Sequence, residues 1–456
     1  MSNVNEELFE KTPIPSAVRK LMIPTVLGSL VMVLYSLADT LFVGLLNDKI
    51  QSAAVSLAAP ALLAFNAVNN LFGVGSSSMM SRALGMKDSD TVRGSASFGF
   101  YGSIICGFLL SILCFAYLNP LMTILGALPD TIDATREYMI WAVVFGAIPS
   151  ILNVVLGYLI RAEGSALHAS IGIISGCFLN MILDPVFILP WGLGMGAAGA
   201  GLATFISNCV ACGYFFVLLI VRKHKTNIKL HPRYFRPTRQ IVVGVCGVGI
   251  PASIQNLLNV TGMTVLNNFI KAYGASAVAA VGIAQKIYMV PMLISLGGTQ
   301  GVMPLIGYSY SAKNGDRFKN CILYLGKLLL PAIVIITLIC WIFARPLIGL
   351  FIDDHDVVYY GTLFLRGFVS SLPFMMIDFM AVGVFQSIGM GKKSLVFAIL
   401  RKIVLEIPAI VILNVVFHAG GIAYSAMIAE IVLATAGAIQ LKKVMTSISS
   451  NSIIEF

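Results

Sequence analysis

GIISGCFLNMILDPVFILP, residues 172–190, is an apolar run of membrane-spanning length with two polar side chains, Asn180 and Asp184, in its interior. Four positions apart, the two stack on one face of a helix. Pro185 follows the acid directly; it donates no N–H and disfavours helical geometry at the residue before it. A carboxylate beside a weakened helix, deep in apolar sequence, is costly unless it faces a cavity or a partner. Asp184 is therefore the first candidate for function.

Similar runs recur along all 456 residues. The chain is 58% hydrophobic and 11% charged, with a mean hydropathy of +0.91, whereas soluble domains carry about 25% charged residues. No long polar block interrupts the pattern, so the composition defines an integral membrane protein. The opening residues, MSNVNEELFEKTPIPSAVRK, are polar and lead into a full-length span, so no cleavable signal peptide is expected. Twelve spans are read, at roughly 20–46, 53–80, 94–117, 136–160, 167–189, 197–221, 240–270, 278–306, 319–344, 357–388, 394–417 and 420–441.

The net charge of +10 follows the membrane, not a nucleic acid. With the N-terminus inside, 23 of the 30 Lys and Arg fall on inside segments and five (Lys49, Arg136, Lys271, Arg345, Arg366) on outside segments, which is the positive-inside rule. Both termini are then cytoplasmic, and no nucleic-acid partner is expected. The basic segment VRKHKTNIKLHPRYFRPTRQ nearly bisects the chain and reads as a cytoplasmic linker held against anionic membrane lipid. The domains expected are a six-helix lobe at 1–220, the linker at 221–240 and a second six-helix lobe at 241–456. The eight Cys lie almost all within apolar runs, and the Cys209/Cys212 pair has no accompanying His or second pair, so they read as packing residues.

The two halves echo each other. VMPLIGYSYSAKNGD (302–316) resembles SMMSRALGMKD (78–88), and FQSIGMGKK (385–393) resembles LIRAEGSAL (159–167), pairing Gly389 with Gly164. KIVLEIP sets Glu406 opposite Asp184, and GIAYSAMIAE sets Glu430 opposite Asn208 at the same separation. Internal duplication follows. Six spans per half give the halves the same orientation, and a cavity between them is the expected substrate path.

Polar residues within spans mark candidate sites. The first half holds Tyr35, Asp39, Asn153, Asn180, Asp184 and Thr204, and no Lys or Arg inside its spans to pair with the acids. That leaves a proton or a bound cation as the partner of Asp39 and Asp184. Tyr35, Asn153, Asn180 and Thr204 suit either the acid site or hydrogen bonding between helices. Pro24 removes a backbone hydrogen bond from the first span and permits a bend. In the second half Lys286, Asp378 and Glu406 are either site residues or neutralise one another. Gly172/Gly176 and Gly297/Gly301 have the GxxxG spacing of close helix packing. No HExxH, GxSxG or Walker pattern is present. The chain is therefore not expected to be an enzyme or an ATP-driven pump, and an ion gradient is the remaining energy source, worth about 2.3 kcal/mol per unit charge per 100 mV.

With these features in place, the chain resembles the MATE (multidrug and toxic compound extrusion) family, in its DinF/MepA-like branch. The resemblance rests on IPTVLGSLVMVLYSLADTLFVG, LFGVGSSSMMSRALGMKD, LIRAEGS, LNMILDPVFI, GAAGAGLATFISN, VGIAQKIYMVPMLISLGGTQGVMPLIGYSYSAKNGD and FQSIGMGKKS, which cover nearly the whole chain in order. It implies an all-α polytopic membrane protein of twelve transmembrane helices in two parallel six-helix repeats, with V-shaped lobes around a central cavity. It implies an antiporter of the bacterial or archaeal inner membrane, monomeric, exporting organic, often cationic, drugs in exchange for H⁺ or Na⁺ and needing no other cofactor. The branch's first-lobe ion site matches Asp39, Asn180, Asp184 and Thr204 here, which are the expected ligands if the ion is Na⁺, and Tyr35 fits its first-helix pattern. Pro24 matches a proline proposed in the family as a bending point. Lys286 disfavours a cation in the second half, so Asp378 and Glu406 are weaker candidates. A lipid-linked oligosaccharide flippase of the same superfamily is the nearest alternative, but it wants several cavity cations. A non-transporting membrane receptor leaves Asp39 and Asp184 unexplained.

Overall fold

A computed structural model describes residues 4–449. The described residues are helical, with turns and connectors but no strand. Six membrane-length helices precede the basic connector: α1 (Ile14–Leu45), α2 (Lys49–Gly85), α3 (Ser89–Ala116), α4 (Ile132–Phe145 with Ala147–Ala162), α5 (Ala166–Ile188) and α6 (Ala197–Val221). Six follow it: α7 (Arg239–Ile270), α8 (Ala275–Ser311), α9 (Gly315–Ile342), α10 (His355–Ser387), and α11 and α12 within one stretch from Gly391 to Ser449 that breaks at His418. At His418 the backbone is non-helical (φ 54°, ψ −139°), so the chain enters and leaves as two helices. Helix α4 bends by 45° where Gly146 follows a π-helical turn, Ile140–Phe145. A Cβ at Gly146 would lie 2.2 Å from the Ala142 carbonyl oxygen, so only glycine fits the bend.

The backbone carries the duplication seen in the sequence. Lys87 and Lys313, both in the left-handed region (φ 59° and 54°), end α2 and α8. Asp88 and Asn314 then cap α3 and α9, accepting from the backbone N–H of Thr91 at 3.0 Å and of Arg317 at 2.9 Å. Gly164 and Gly389 share a positive φ (85° and 87°) after α4 and α10. Large apolar side chains such as Phe108, Leu113, Ile335 and Ile342 are exposed on the helices, as lipid-facing residues are.

The chain folds into two compact units, one built on Leu27–Ser253 and the other on Phe9–Val26 with the chain from Ile254 onward. These divisions differ from the expected boundaries at 220 and 241. Each half's first helix is shared: α1 passes from one unit to the other after Val26, and α7 after Ser253. In each case a proline inside the helix, Pro24 or Pro251, precedes the change. The basic connector belongs wholly to the first unit. Ile228 is buried in that unit's core, Tyr101 donates to the Leu230 carbonyl at 2.6 Å, and Ser97 donates to that of Lys229 at 2.7 Å. The buried Glu163 carboxylate accepts from Thr226 Oγ1 (2.6 Å) and from the backbone N–H groups of Asn227 (2.6 Å) and Ile228 (3.1 Å). These hydrogen bonds tether the connector, which sequence composition alone presents as a solvated basic linker.

Candidate functional site

Asp184 has no solvent exposure, and Asn180, one turn earlier on α5, is 2% exposed. Turned so that both its ends are satisfied, the Asn180 amide donates from Nδ2 to Asp184 Oδ2 at 2.8 Å, and its oxygen accepts from the Thr204 backbone N–H at 3.1 Å. The four-residue spacing makes the first bond and the close approach of α6 makes the second. That approach needs small residues on α5. A Cβ at Gly172 would fall 2.2 Å from the Phe215 ring, and one at Gly176 3.1 Å from the Ala211 Cβ.

Tyr35 and Asp39, one turn apart on α1, complete the group. The Asp39 charge reaches Asp184, and both charges reach the hydroxyls of Tyr35 and Tyr138. The Tyr35 hydroxyl faces the Thr204 side chain. Among the described residues no cation forms an ion pair with Asp39 or Asp184.

Tyr35, Asn153, Asn180, Thr204, Ser207 and Asn208 line a cavity of ≈ 50 Å³, large enough for water. Asn153 Nδ2 donates to Asn208 Oδ1 at 3.2 Å, and Asn208 Nδ2 to the Thr204 carbonyl at 2.9 Å. Asn153 Oδ1 and Ser207 Oγ are buried with no hydrogen-bond partner. Buried polar atoms of this kind ordinarily meet water or an ion. The structure thus brings all six first-half candidates into one neighbourhood. Sequence reasoning did not assign Tyr138, Ser207 or Asn208 to it. Tyr138, beside Arg136 and Glu137 at the start of its span, is 5% exposed. Asn208 had a signal, its alignment with Glu430.

The second unit has a different charge plan. Arg401, 3% exposed, is ion-paired to Asp378 and, through Nε at 3.2 Å, to Glu430 Oε1. Lys402 Nζ lies 2.6 Å from Glu406 Oε2. Of the two readings left open for Lys286, neutralising Asp378 or Glu406 is not the one seen: it lies on the exposed face of α8 and pairs with neither. The reason is local. Residues Leu400–Glu406 form a π-helical turn that carries Arg401 and Lys402 inward, whereas Arg401 had counted with the inside anchors.

Pro24 lies within α1, two residues before the helix changes unit. The eight Cys are free thiols, and Cys212 Sγ packs 3.2 Å from the Pro149 carbonyl.

A duplicated twelve-helix membrane fold with unpaired acids in the first half defines a polytopic transporter class. The MatE family model matches residues 24–186 and again 251–412, once in each half. The chain belongs to the MATE family, in its MepA-like branch. It is similar to the multidrug export protein MepA of Staphylococcus saprophyticus, 34% identical over 94% of this chain and 93% of that one. MepA of Staphylococcus aureus is 33% identical over the same shares. Among solved structures, an outward-facing multidrug resistance MATE transporter of the MOP superfamily matches with a TM-score of 0.92 and 26% identity, over 99% of this chain and 100% of that one. A MOP superfamily transporter from Pyrococcus furiosus, whose binding pocket is described as reversed in polarity, matches with a TM-score of 0.90 and 26% identity, over 98% and 99%.

Proposed function

We propose that the chain is an ion-coupled antiporter that exports organic, chiefly cationic, drugs or metabolites by alternating access. It would act as a monomer in a bacterial or archaeal cell membrane, with both termini cytoplasmic. The relatives named multidrug export proteins support the substrate class. The observation that carries the coupling is Asp184, buried, without a cation, and tied through Asn180 to α6 beside Asp39.

Two neighbouring carboxylates in an apolar setting are stable together only when their charge is compensated. A proton or Na⁺ entering from outside supplies that compensation. Helix α1, which carries Asp39 and Tyr35, then repacks about Pro24 and substrate is released outward. Inward loss of the ion resets the site, so each export step admits an ion. Residues of the second unit are excluded from this role because Arg401 and Lys402 already compensate Asp378, Glu430 and Glu406.

The donor set of Asp39, Asp184, Thr204 and Tyr35 is all oxygen and suits either ion. The Asn180 amide is compatible with both: its nitrogen can donate to the Asp184 carboxylate, and its oxygen, turned inward, can join the donor set. Flux of ethidium in proteoliposomes, with pH and Na⁺ gradients imposed separately, tests the reading. Export driven by either gradient supports it; dye movement indifferent to both refutes it.

A further inference from the structure

A large cavity of the second unit lies at helix ends, far in sequence from the acids just described. It measures ≈ 1020 Å³ and is bounded by the end of α9, the short helix Ala344–Gly349, the start of α10, and Tyr424 from α12. Trp341, Arg345, Asp353, Tyr359 and Arg366 face it. Arg366 is held in place: its Nε donates to the Trp341 carbonyl at 3.2 Å, and its guanidinium lies 4.6 Å over the Trp341 ring. Arg345 makes no hydrogen bond or ion pair among the described residues. In the first unit, the arginine near the corresponding short helix is already engaged. Arg136 reaches Asp133 at 3.2 Å and Asn119 at 3.1 Å.

The acids of the cavity divide similarly. Asp354 caps α10, accepting from Val357 N–H at 2.9 Å, while Asp353 has no such engagement and faces the same space. Beside the cavity, Ile339, Ile342 and Leu350 are 50%, 59% and 80% exposed. Exposed aliphatic side chains at the end of a transmembrane helix lie against acyl chains, and Trp and Tyr mark headgroup depth. The cavity therefore joins an arginine pair and a free carboxylate at headgroup level to an apolar flank.

We propose that this cavity binds the headgroup of a membrane phospholipid that carries both a phosphate and a primary amine. Arg345 and Arg366 hold the phosphate, because guanidinium groups match its oxygens with charge-assisted hydrogen bonds. Asp353 takes the ammonium. The acyl chains run along the Ile339–Ile342 face of α9. This site does not depend on the coupling acids, so it stands or falls separately from the transport reading.

The test is lipid retention by the full-length, delipidated protein, followed by native mass spectrometry. The probes are phosphatidylethanolamine, phosphatidylglycerol and the soluble headgroup glycerophosphoethanolamine. Phosphatidylethanolamine should bind one per chain, and R345A should weaken it about tenfold, the loss of one charged hydrogen-bonding partner. R345K, which keeps the charge but not the guanidinium fork, should recover only part of that loss, and D353N should abolish the preference for phosphatidylethanolamine over phosphatidylglycerol. Arg345 is exposed and unbonded, so R345A should keep the parent's melting temperature. Undiminished phosphatidylethanolamine binding by R345A would overturn the proposal. So would parent protein that prefers phosphatidylglycerol, or that binds the soluble headgroup as tightly as the lipid; the last result would mark a site for aqueous phosphate esters.

Discussion

Turned so that both its ends are satisfied, the Asn180 amide sets its nitrogen 2.8 Å from Asp184 Oδ2 and its oxygen on the Thr204 N–H, so one side chain links the buried acid of α5 to α6. Removing the amide breaks both bonds and leaves the acid with no donor. N180A is expected to lower gradient-driven dye flux at least tenfold, with a loss of stability of about 1–3 kcal/mol. N180D, which places a second carboxylate one turn from Asp184, should be as defective in flux. Vesicle flux and detergent melting curves, measured together, separate the two effects.

In the second unit, Arg401 joins two buried acids, so its loss should be structural. R401M leaves Asp378 and Glu430 uncompensated and should cost about 3–5 kcal/mol. R401M/D378N/E430Q, which removes every charge of the triad, should regain most of that stability. Melting temperatures of the two variants decide this. A triple variant no more stable than R401M would show that the ion pairs are not what holds the site.

Glu163, just past the end of α4, gives a pH signature. Burial outweighs its hydrogen bonds and pushes its carboxyl up to about 7 from the ordinary 4.5. The folded protein then binds this proton more tightly than the unfolded chain does. The stabilisation is complete below about pH 4.5 and is lost as pH rises through 7. Between pH 6 and 8 the parent should lose melting temperature relative to E163Q, which cannot titrate. E163A, which also releases the connector, should be cut faster by trypsin within 222–239.

Pro24 and Pro251 occupy matching places, each just before its helix passes from one compact unit to the other. A proline there removes a helix hydrogen bond and lowers the resistance to bending. P251A restores a donor and should slow dye export several-fold while raising or preserving the melting temperature. Export at the parent rate would mean that α7 does not bend during the cycle.

Much of this was legible in the residues themselves. Membrane spans follow from hydropathy, and the duplication from echoed segments, later met as the matched backbone of Lys87 with Lys313 and Gly164 with Gly389. Asn180 and Asp184 meet because a helix repeats every 3.6 residues. Arg401 was not legible: beside Lys392, Lys393 and Lys402 it resembles a cytoplasmic anchor, and only the π-helical turn at Leu400–Glu406 carries it inward. The connector's place was hidden for a related reason. A segment rich in Lys and Arg reads as solvated, but its docking is set by backbone N–H groups meeting Glu163, which composition does not report. Tyr138, on the segment of α4 before its bend, lies within reach of both acids' charges through helix packing, which spacing along the chain does not report.

The central claim is that the first-half acids couple ion entry to export, and D184N tests it most directly. Reconstituted at equal density with the parent and with an unchanged melting temperature, D184N should show no ethidium export under either a pH or an Na⁺ gradient, and D39N should be impaired likewise. Gradient-driven export by D184N at the parent rate would contradict the account.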